Sequence, residues 1–230
     1  MRNTTMLDVP VVHAVTNDQV LLRQDFLARA IGVMQALGER GAVHVRSQLM
    51  PSPRLYDLTC RLINLHVETG CWCILSDRLD IALAAGAHGI QLTSRSIRPD
   101  DARRIAPKLR VGASVHCSDE AEDAELSGAD WCVAGNVFET ASHPGEPRRE
   151  TNFVSEIVSR VDIPVIAIGG VLPEHVKSLV GGGAYGIAAI RGIWEAENSE
   201  QAAVRYLSEY DGSTDGSGST GGSNGAGNSH

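Results

Sequence analysis

Short apolar runs alternate with longer segments of helical periodicity along most of this chain. Residues 11–15 form an apolar run that stops at Thr16, and the apolar residues after it recur at spacings of three or four, as in a helix with one buried face. Residues 42–45 begin the same succession again, with Pro53 near the start of the second helix and Gly70 after its end. The pattern therefore predicts a repeated strand and helix unit.

Eight such units are predicted. The strands are expected at 11–15, 42–45, 72–75, 89–92, 110–113, 131–134, 165–168 and 185–189, and the helices at 21–37, 53–69, 78–85, 99–106, 118–127, 152–160, 173–180 and 199–210. Residues 165–168 are all apolar, which is typical of a parallel strand covered on both faces. An open, doubly wound sheet usually has fewer strands and polar edges, so the sequence predicts a single α/β domain over residues 1–210, a (β/α)8 TIM barrel.

The last twenty residues differ in composition from the rest. Residues 211–230 consist mainly of Gly and Ser with Thr, Asn and Asp, and Ala226 is their one apolar residue. Such a segment buries too little apolar surface to offset the entropy lost on ordering. A disordered C-terminal tail is predicted from residue 211 onward.

Charge and cysteine content narrow the class of protein. The net charge is -8 with a pI near 5.4, which argues against nucleic acid and against an anionic membrane surface as partners. Five cysteines without a C-x-x-C pair indicate reduced thiols, with neither a zinc site nor a disulfide framework. Residues 1–10 do not resemble a signal peptide, so a cytoplasmic protein is expected. Whether it forms a homo-oligomer is left open.

The loops after the last two strands suggest a phosphate site. In TIM barrels the active site lies at the carboxyl ends of the strands, and phosphates often bind after strands seven and eight. Gly169 and Gly170 follow the seventh strand, and Ile190, Arg191 and Gly192 follow the eighth. The alternatives are a tight turn that needs two glycines and a surface salt bridge for Arg191. We expect these five residues to bind a phosphate.

Other strand ends carry a carboxylate and several histidines. Asp77 follows the third strand, where it is able to hold Mg²⁺ or to cap the next helix, and the cap is the favoured interpretation. Imidazole suits proton transfer near neutral pH, which makes His44, His116 and His143 candidates. His44 faces either the barrel interior or the helices, and a merely hydrogen-bonded or solvated histidine is the alternative in each case.

Several ordered motifs resemble the thiamine phosphate synthase and TenI superfamily. They lie at residues 76–83, 89–92, 111–116, 135–140 and 164–170, and together they span most of the predicted barrel. The resemblance implies a pocket for a thiazole phosphate, with the phosphate on the glycine turn and on the loop at Ile190 and Arg191. It also implies Arg46, Asp77, Ser114, Asn136, Thr140 and Ser142 as further substrate-binding residues.

The synthase branch joins the thiazole phosphate to a pyrimidine diphosphate, and it requires Mg²⁺. Its pattern has lysine where this chain has Gln48, a second metal aspartate at Ser96 and another lysine at His143. Each lost charge-assisted contact removes about 1.5 to 3 kcal/mol of binding. The resemblance therefore predicts absent or very slow synthase activity, and Mg²⁺ is expected only if the synthase alternative holds.

The TenI-like branch is a thiazole tautomerase that needs no cofactor, and residues 135–140 are more similar to it. Its acid-base histidine falls at Asn136, whose carboxamide cannot exchange a proton near neutral pH. A tautomerase with a relocated histidine is the expected function, with His116 preferred over His44 and His143. The alternatives are a thiamine phosphate synthase and a noncatalytic binder of a phosphate ligand.

Overall fold

The computed structural model describes residues 9–138 and 152–214. Its strands are β1 (Val12–Val15), β2 (Gly41–Val45), β3 (Trp72–Ser76), β4 (Gly89–Leu92), β5 (Arg110–Val115), β6 (Trp131–Ala134), β7 (Val165–Ile168) and β8 (Gly186–Ala189). Its helices are α1 (Asp18–Leu21), α2 (Phe26–Leu37), α3 (Ser52–Thr69), α4 (Leu79–Ala85), α5 (Pro99–Ile105), α6 (Ser118–Leu126), α7 (Asn152–Val158), α8 (Val176–Gly181), α9 (Arg191–Trp194) and α10 (Ser199–Thr214).

Each strand pairs in parallel with its neighbours in the chain, and β8 pairs with β1. The sheet is therefore closed, and the predicted (β/α)8 barrel is confirmed. In the first pair His13 lies opposite Ala42 and Val15 lies opposite His44. His44 thus lies two residues closer than His13 to the carboxyl end of the barrel, where the cavity opens.

Side chains alternate between two buried clusters, as the pleat of a strand requires. The barrel interior holds a cluster that includes Ala42, Ile74 and Trp131. The alternate strand residues, such as Val43 and Leu75, pack with the helices in a larger outer cluster. Because Ala42 faces the interior, so does His44, which removes the alternative that His44 faces the helices.

The end of the barrel lies four residues beyond its predicted position. Helix α10 continues from Ser199 to Thr214, whereas the disordered tail was expected from residue 211. Tyr206 is fully buried and Tyr210 packs at the edge of the core. Tertiary contacts therefore stabilise the end of the helix, and the local composition of the sequence does not reveal them. Residues 215–230 lie outside the described part.

Within residues 9–138 and 152–214, no helix is both long and apolar enough to cross a membrane.

A large indole fills the interior next to β5. Trp131 is fully buried and its Nε1 donates to Gln91 Oε1 at 2.9 Å. A Cβ on Gly112 would lie 2.2 Å from Trp131 Cε2 and 2.4 Å from Gln91 Oε1. Gly112 is therefore required by the close approach of the two side chains.

We predict that Gly112→Ala destabilises the barrel by about 1 to 3 kcal/mol, because overpacking displaces Trp131 and its hydrogen bond. Urea unfolding at pH 7.5 measures the change. Gly181→Ala is the matched control, since a Cβ there meets nothing within 4 Å. Equal stability of the two variants would contradict the packing argument.

Candidate active site

A cavity of about 810 Å³ opens at the carboxyl ends of the strands. It brings together ten of the residues predicted from the sequence: His44, Arg46, Ser114, His116, Asn136, Gly169, Gly170, Ile190, Arg191 and Gly192. Asp77 is not among the residues that line the cavity, and its side chain is hydrogen-bonded to the loop after β4. Thr140, Ser142 and His143 lie outside the described residues. The volume is within the range of small-ligand sites in proteins.

The glycine turn after β7 is held from behind by the loop after β6. Gly169 has φ 103° and Gly170 has φ 63°, conformations that glycine adopts without steric cost. A Cβ on Gly169 would lie 2.7 Å from the Cα of Asn136. The amide of Val137 donates to Ile168 O at 3.0 Å, and that of Phe138 donates to Gly169 O at 2.9 Å. Asn136 thus packs against the turn that is proposed to bind phosphate.

The loop after β8 contains the cationic residue Arg191 and, next to it, a glycine that packs closely against α10. Arg191 is exposed in the cavity wall, and it forms no ion pair with any described residue, which argues against the salt-bridge alternative. A Cβ on Gly192 would lie 2.1 Å from the hydroxyl of Tyr206, which donates to Val171 O at 2.8 Å. The need for glycine at 192 is therefore explained by packing against α10.

Asp77 does not cap a helix, so the favoured interpretation of this residue is wrong. Helix α4 begins after Arg78 and has no side-chain cap. The Oδ1 atom of Asp77 instead accepts from Thr93 N at 3.0 Å, from Thr93 Oγ1 at 2.8 Å and from Ser96 Oγ. A left-handed backbone at Asp77, φ 62°, turns its side chain toward this loop. Asp77 fixes the loop after β4.

The same contacts bear on Mg²⁺, the ion implied by the synthase branch. One Asp77 oxygen already receives three hydrogen bonds, and Ser96 supplies a hydroxyl donor where a second carboxylate would be needed. Across the described ranges, 9–138 and 152–214, no group of three or more His, Cys, Asp or Glu is placed to hold a metal. These residues do not fit a magnesium site built on two carboxylates.

Two guanidinium groups line the side of the cavity formed by the loops after β2 and β4. They belong to Arg46 and Arg95. With its amide oxygen turned toward Arg95, Gln48 accepts hydrogen bonds of 2.8 and 3.2 Å from that guanidinium. Arg95 therefore brings a positive charge to the position where the synthase pattern has a lysine. Sequence reasoning missed this role because it examined the loop after β4 only for acidic metal ligands.

The loop that carries Arg46 and Gln48 is anchored by Asp18. Its carboxylate accepts from Ser47 Oγ, from Gln48 N at 3.1 Å and from Leu49 N at 3.2 Å. Partial burial raises the pKa of Asp18, but these hydrogen bonds and the nearby charge of Arg46 outweigh it, so the pKa is lowered overall. Asp18 stays ionised and holds the loop in place.

Ser114 is oriented by a short hydrogen-bond chain. Trp131 donates to the Gln91 oxygen, which fixes that amide, and Gln91 Nε2 then donates to Ser114 Oγ at 3.1 Å. Since Ser114 Oγ accepts from Gln91, its own hydroxyl proton is available to an acceptor in the cavity. Gln91 is a second residue that sequence reasoning did not select.

The histidine candidates occupy different depths. His116 lies at the rim with its side chain 47% exposed, and its Nδ1 is 3.0 Å from Glu120 Oε2. His44 lies in the cavity wall at only 1% exposure. Its Nε2 is 2.7 Å from Nδ1 of His13, a fully buried residue that the sequence did not identify. Burial lowers the pKa of His13 to about 4 and lowers the pKa of His44 well below its usual value, so both rings are neutral at pH 7.

Comparison with known proteins identifies the family of this chain. The family model described as thiamine monophosphate synthase matches residues 12–193, which is most of the barrel. The chain belongs to the thiamine monophosphate synthase family. The matched residues include every described strand, the glycine turn and the three arginines that line the cavity.

Members of the thiamine monophosphate synthase family resemble the chain over nearly its whole barrel. A thiamine-phosphate synthase of Pyrococcus horikoshii is 36% identical over 171 residues, covering 74% of this chain and 83% of the relative. A putative thiamine-phosphate synthase 2 of Aquifex aeolicus is 30% identical and covers 80% and 97%. The solved thiamine phosphate pyrophosphorylase of Pyrococcus furiosus superposes with a TM-score of 0.78 at 29% identity, covering 88% of this chain and 96% of that one.

The buried histidines predict how stability depends on pH. The pKa of His13 is about 4 when folded and about 6.5 when exposed, so between these values the unfolded chain binds more protons. The contribution of His13 to the free energy of unfolding is therefore fully present above pH 6.5, and it is lost toward pH 4 at about 1 kcal/mol per pH unit. Urea unfolding between pH 7.5 and 4.5 measures this slope. His13→Phe should reduce it, and an unchanged slope would contradict the assignment.

Proposed function

We propose that this protein is a thiamine-biosynthetic enzyme of the synthase type, which binds a thiazole phosphate and joins it to hydroxymethylpyrimidine diphosphate with release of diphosphate. The observation that carries the proposal is the placement of cations on two sides of one cavity. Arg191 follows β8, Arg95 follows β4 on the opposite side of the barrel, and Arg46 follows β2 between them. The names of the relatives at 36% and 30% identity support the same reaction rather than the tautomerase.

The first subsite is the glycine turn with the loop after β8. The positive φ angles of Gly169 and Gly170 turn the chain where β7 ends, and the absence of side chains lets backbone amides approach an anion. The guanidinium of Arg191 is exposed in the cavity wall and forms no ion pair with a described residue, so it is available to a phosphate in this subsite. This subsite suits a single phosphate group.

The second subsite is the wall that carries Arg46, Gln48 and Arg95. Two guanidiniums present planar pairs of donors, which match the oxygens of a diphosphate. Their charges compensate in part for the lysine that the synthase pattern has at Gln48. The loop is held by Asp18 on one side, and Asp77 holds the loop of Arg95 on the other, so both cations are supported before a substrate arrives.

Between the two subsites lie groups that orient a heterocycle. Ser114 offers a hydroxyl donor fixed by Gln91, and His44 offers a neutral imidazole in the wall. The protein thus supplies binding and orientation of two anionic substrates. Holding two reactants in the correct geometry is itself a large contribution to the rate of a joining reaction.

A thiazole tautomerase is the second candidate, and a particular observation favours it. His44 is a neutral imidazole that borders the cavity, and a neutral imidazole is able to accept a proton. Asn136, by contrast, packs against the glycine turn and has no group that exchanges protons. In the tautomerase reaction His44 would replace the missing acid-base histidine. His116, at the rim of the cavity, is the other described candidate for this role.

The test is to incubate the purified protein with each thiazole phosphate tautomer, with and without hydroxymethylpyrimidine diphosphate. The synthase proposal expects thiamine phosphate and diphosphate to appear in equal amounts, and phosphorus NMR measures both. Conversion of one thiazole tautomer into the other without the pyrimidine would support the tautomerase instead. Binding without any turnover would contradict both and leave a noncatalytic binder.

Arg95 provides an internal control in the same assay. Arg95→Gln should raise KM for the pyrimidine diphosphate by about 10- to 100-fold, the equivalent of one charge-assisted hydrogen bond, while the affinity for thiazole phosphate is retained. Arg205→Gln on α10 removes the same charge outside the cavity and should change neither constant. Equal effects of the two variants would argue that Arg95 acts only through net charge.

A further inference from the structure

The interior of the barrel contains a pair of histidines that the proposed reaction does not by itself explain. The two rings are 4.9 Å apart between centroids and are joined by a hydrogen bond from ring to ring. His13 lies deeper, opposite Ala42, and His44 lies above it toward the mouth. Two imidazoles buried in this way lose much of their hydration, so their hydrogen bonds determine which atoms carry protons.

The contact between His13 and the backbone of Pro10 determines which ring nitrogens of the pair carry protons. His13 Nε2 is 2.7 Å from the carbonyl oxygen of Pro10, which only accepts hydrogen bonds. His13 Nε2 must therefore carry the proton, and in the neutral ring Nδ1 is left as an acceptor. The Nε2 of His44, 2.7 Å from that Nδ1, must then be the donor. A neutral His44 with its proton on Nε2 has an unprotonated Nδ1.

The alternative is a charged ring in the pair, and burial disfavours it. His13 is 0% exposed and His44 is 1% exposed, and no described carboxylate forms an ion pair with either ring. Burial lowers the pKa of both histidines, and the neighbouring ring lowers that of His44 further. Both rings are neutral at physiological pH.

The remaining ring nitrogen of His44, Nδ1, accepts no hydrogen bond that the described residues donate. The residue itself borders the cavity. We propose that His13 is a positioning residue that holds His44 in the Nε2–H form and so makes His44 Nδ1 the hydrogen-bond acceptor presented to the ligand. The ligand group that meets it must be a donor, such as an N–H, an O–H or an acidic C–H. Before any proton transfer at neutral pH, His44 is then a base or a hydrogen-bond acceptor, and it is able to act as an acid only after Nδ1 has taken a proton.

This inference rests on the proposed function only for the ligand, because the proton positions are properties of the protein alone. Two-bond proton–nitrogen NMR on protein with ¹⁵N-labelled histidine reports which ring nitrogen is protonated. The expected result is that His13 and His44 are both neutral and protonated on Nε2 between about pH 6 and 8. A His44 protonated on Nδ1, or an imidazolium at pH 7, would overturn the proposal even if no variant folds.

Variants of His13 separate positioning from packing. His13→Gln should keep both hydrogen bonds of His13. The glutamine NH2 group is able to donate to Pro10 O, and the glutamine side-chain oxygen is able to accept from His44. His13→Phe fills similar space but accepts nothing, so His44 should become a mixture of the two neutral forms and turnover should fall about 10-fold or more. Equal tautomer distributions in the two variants would contradict the proposal.

Ligand binding tests the acceptor role directly. Saturation with thiazole phosphate, or separately with hydroxymethylpyrimidine diphosphate, should shift the His44 Nδ1 resonance for the ligand that supplies the donor. If both bind and neither shifts Nδ1, the acceptor role is wrong. If the expected proton positions are found but no joining or tautomerase reaction occurs, the proposed function fails and the proposal for His13 stands.

Discussion

The hydrogen bonds between β8 and β1 close the sheet, and the candidate site depends on that closure. The strands are only four to six residues long, so an inward-facing residue near a carboxyl end lies at the mouth. Closure brings Arg191 after β8 and Arg95 after β4 to opposite sides of one cavity. The barrel thereby sets the distance between two cationic parts of the cavity wall, which neither loop could set alone.

Closure also places three cationic side chains of an acidic protein around one cavity. The chain has a net charge of -8, yet the described cavity wall carries the guanidiniums of Arg46, Arg95 and Arg191. Local cations in a concave site act at short range, where screening by salt and by distant carboxylates is weakest. The family membership and the cavity thus point to the same class of small, phosphorylated ligands.

Much of the fold was predictable because it depends on local periodicity. The apolar run at 165–168 is β7 in the structure, and the two glycines after it form the expected turn. The end of α10 was not predictable, since Tyr206 and Tyr210 hold it through contacts distant in sequence. Asp77 was misassigned for a similar reason, because its partners Thr93 and Ser96 follow the next strand.

The sequence predicted where the site residues lie better than it predicted what each of them does. Strand ends identified the glycine turn and Arg191, but two observations required the structure. Arg95 lies in a loop whose direction no periodicity defines, and it reaches Gln48 from the neighbouring side of the cavity. His13 and His44 come together because their strands pair in parallel and both face inward, and the register that aligns them is a property of the closed sheet.

The central claim is that the loops after β7 and β8 hold a phosphate, and calorimetric titration tests it most directly. Thiazole phosphate and the matching thiazole alcohol are titrated into the protein and into Arg191→Gln, which avoids the strain that a bulky residue would cause at Gly170. The account predicts that the substitution weakens binding of the phosphate about 10- to 100-fold and leaves binding of the alcohol unchanged. Equal losses for both ligands, or no loss for the phosphate, would contradict it.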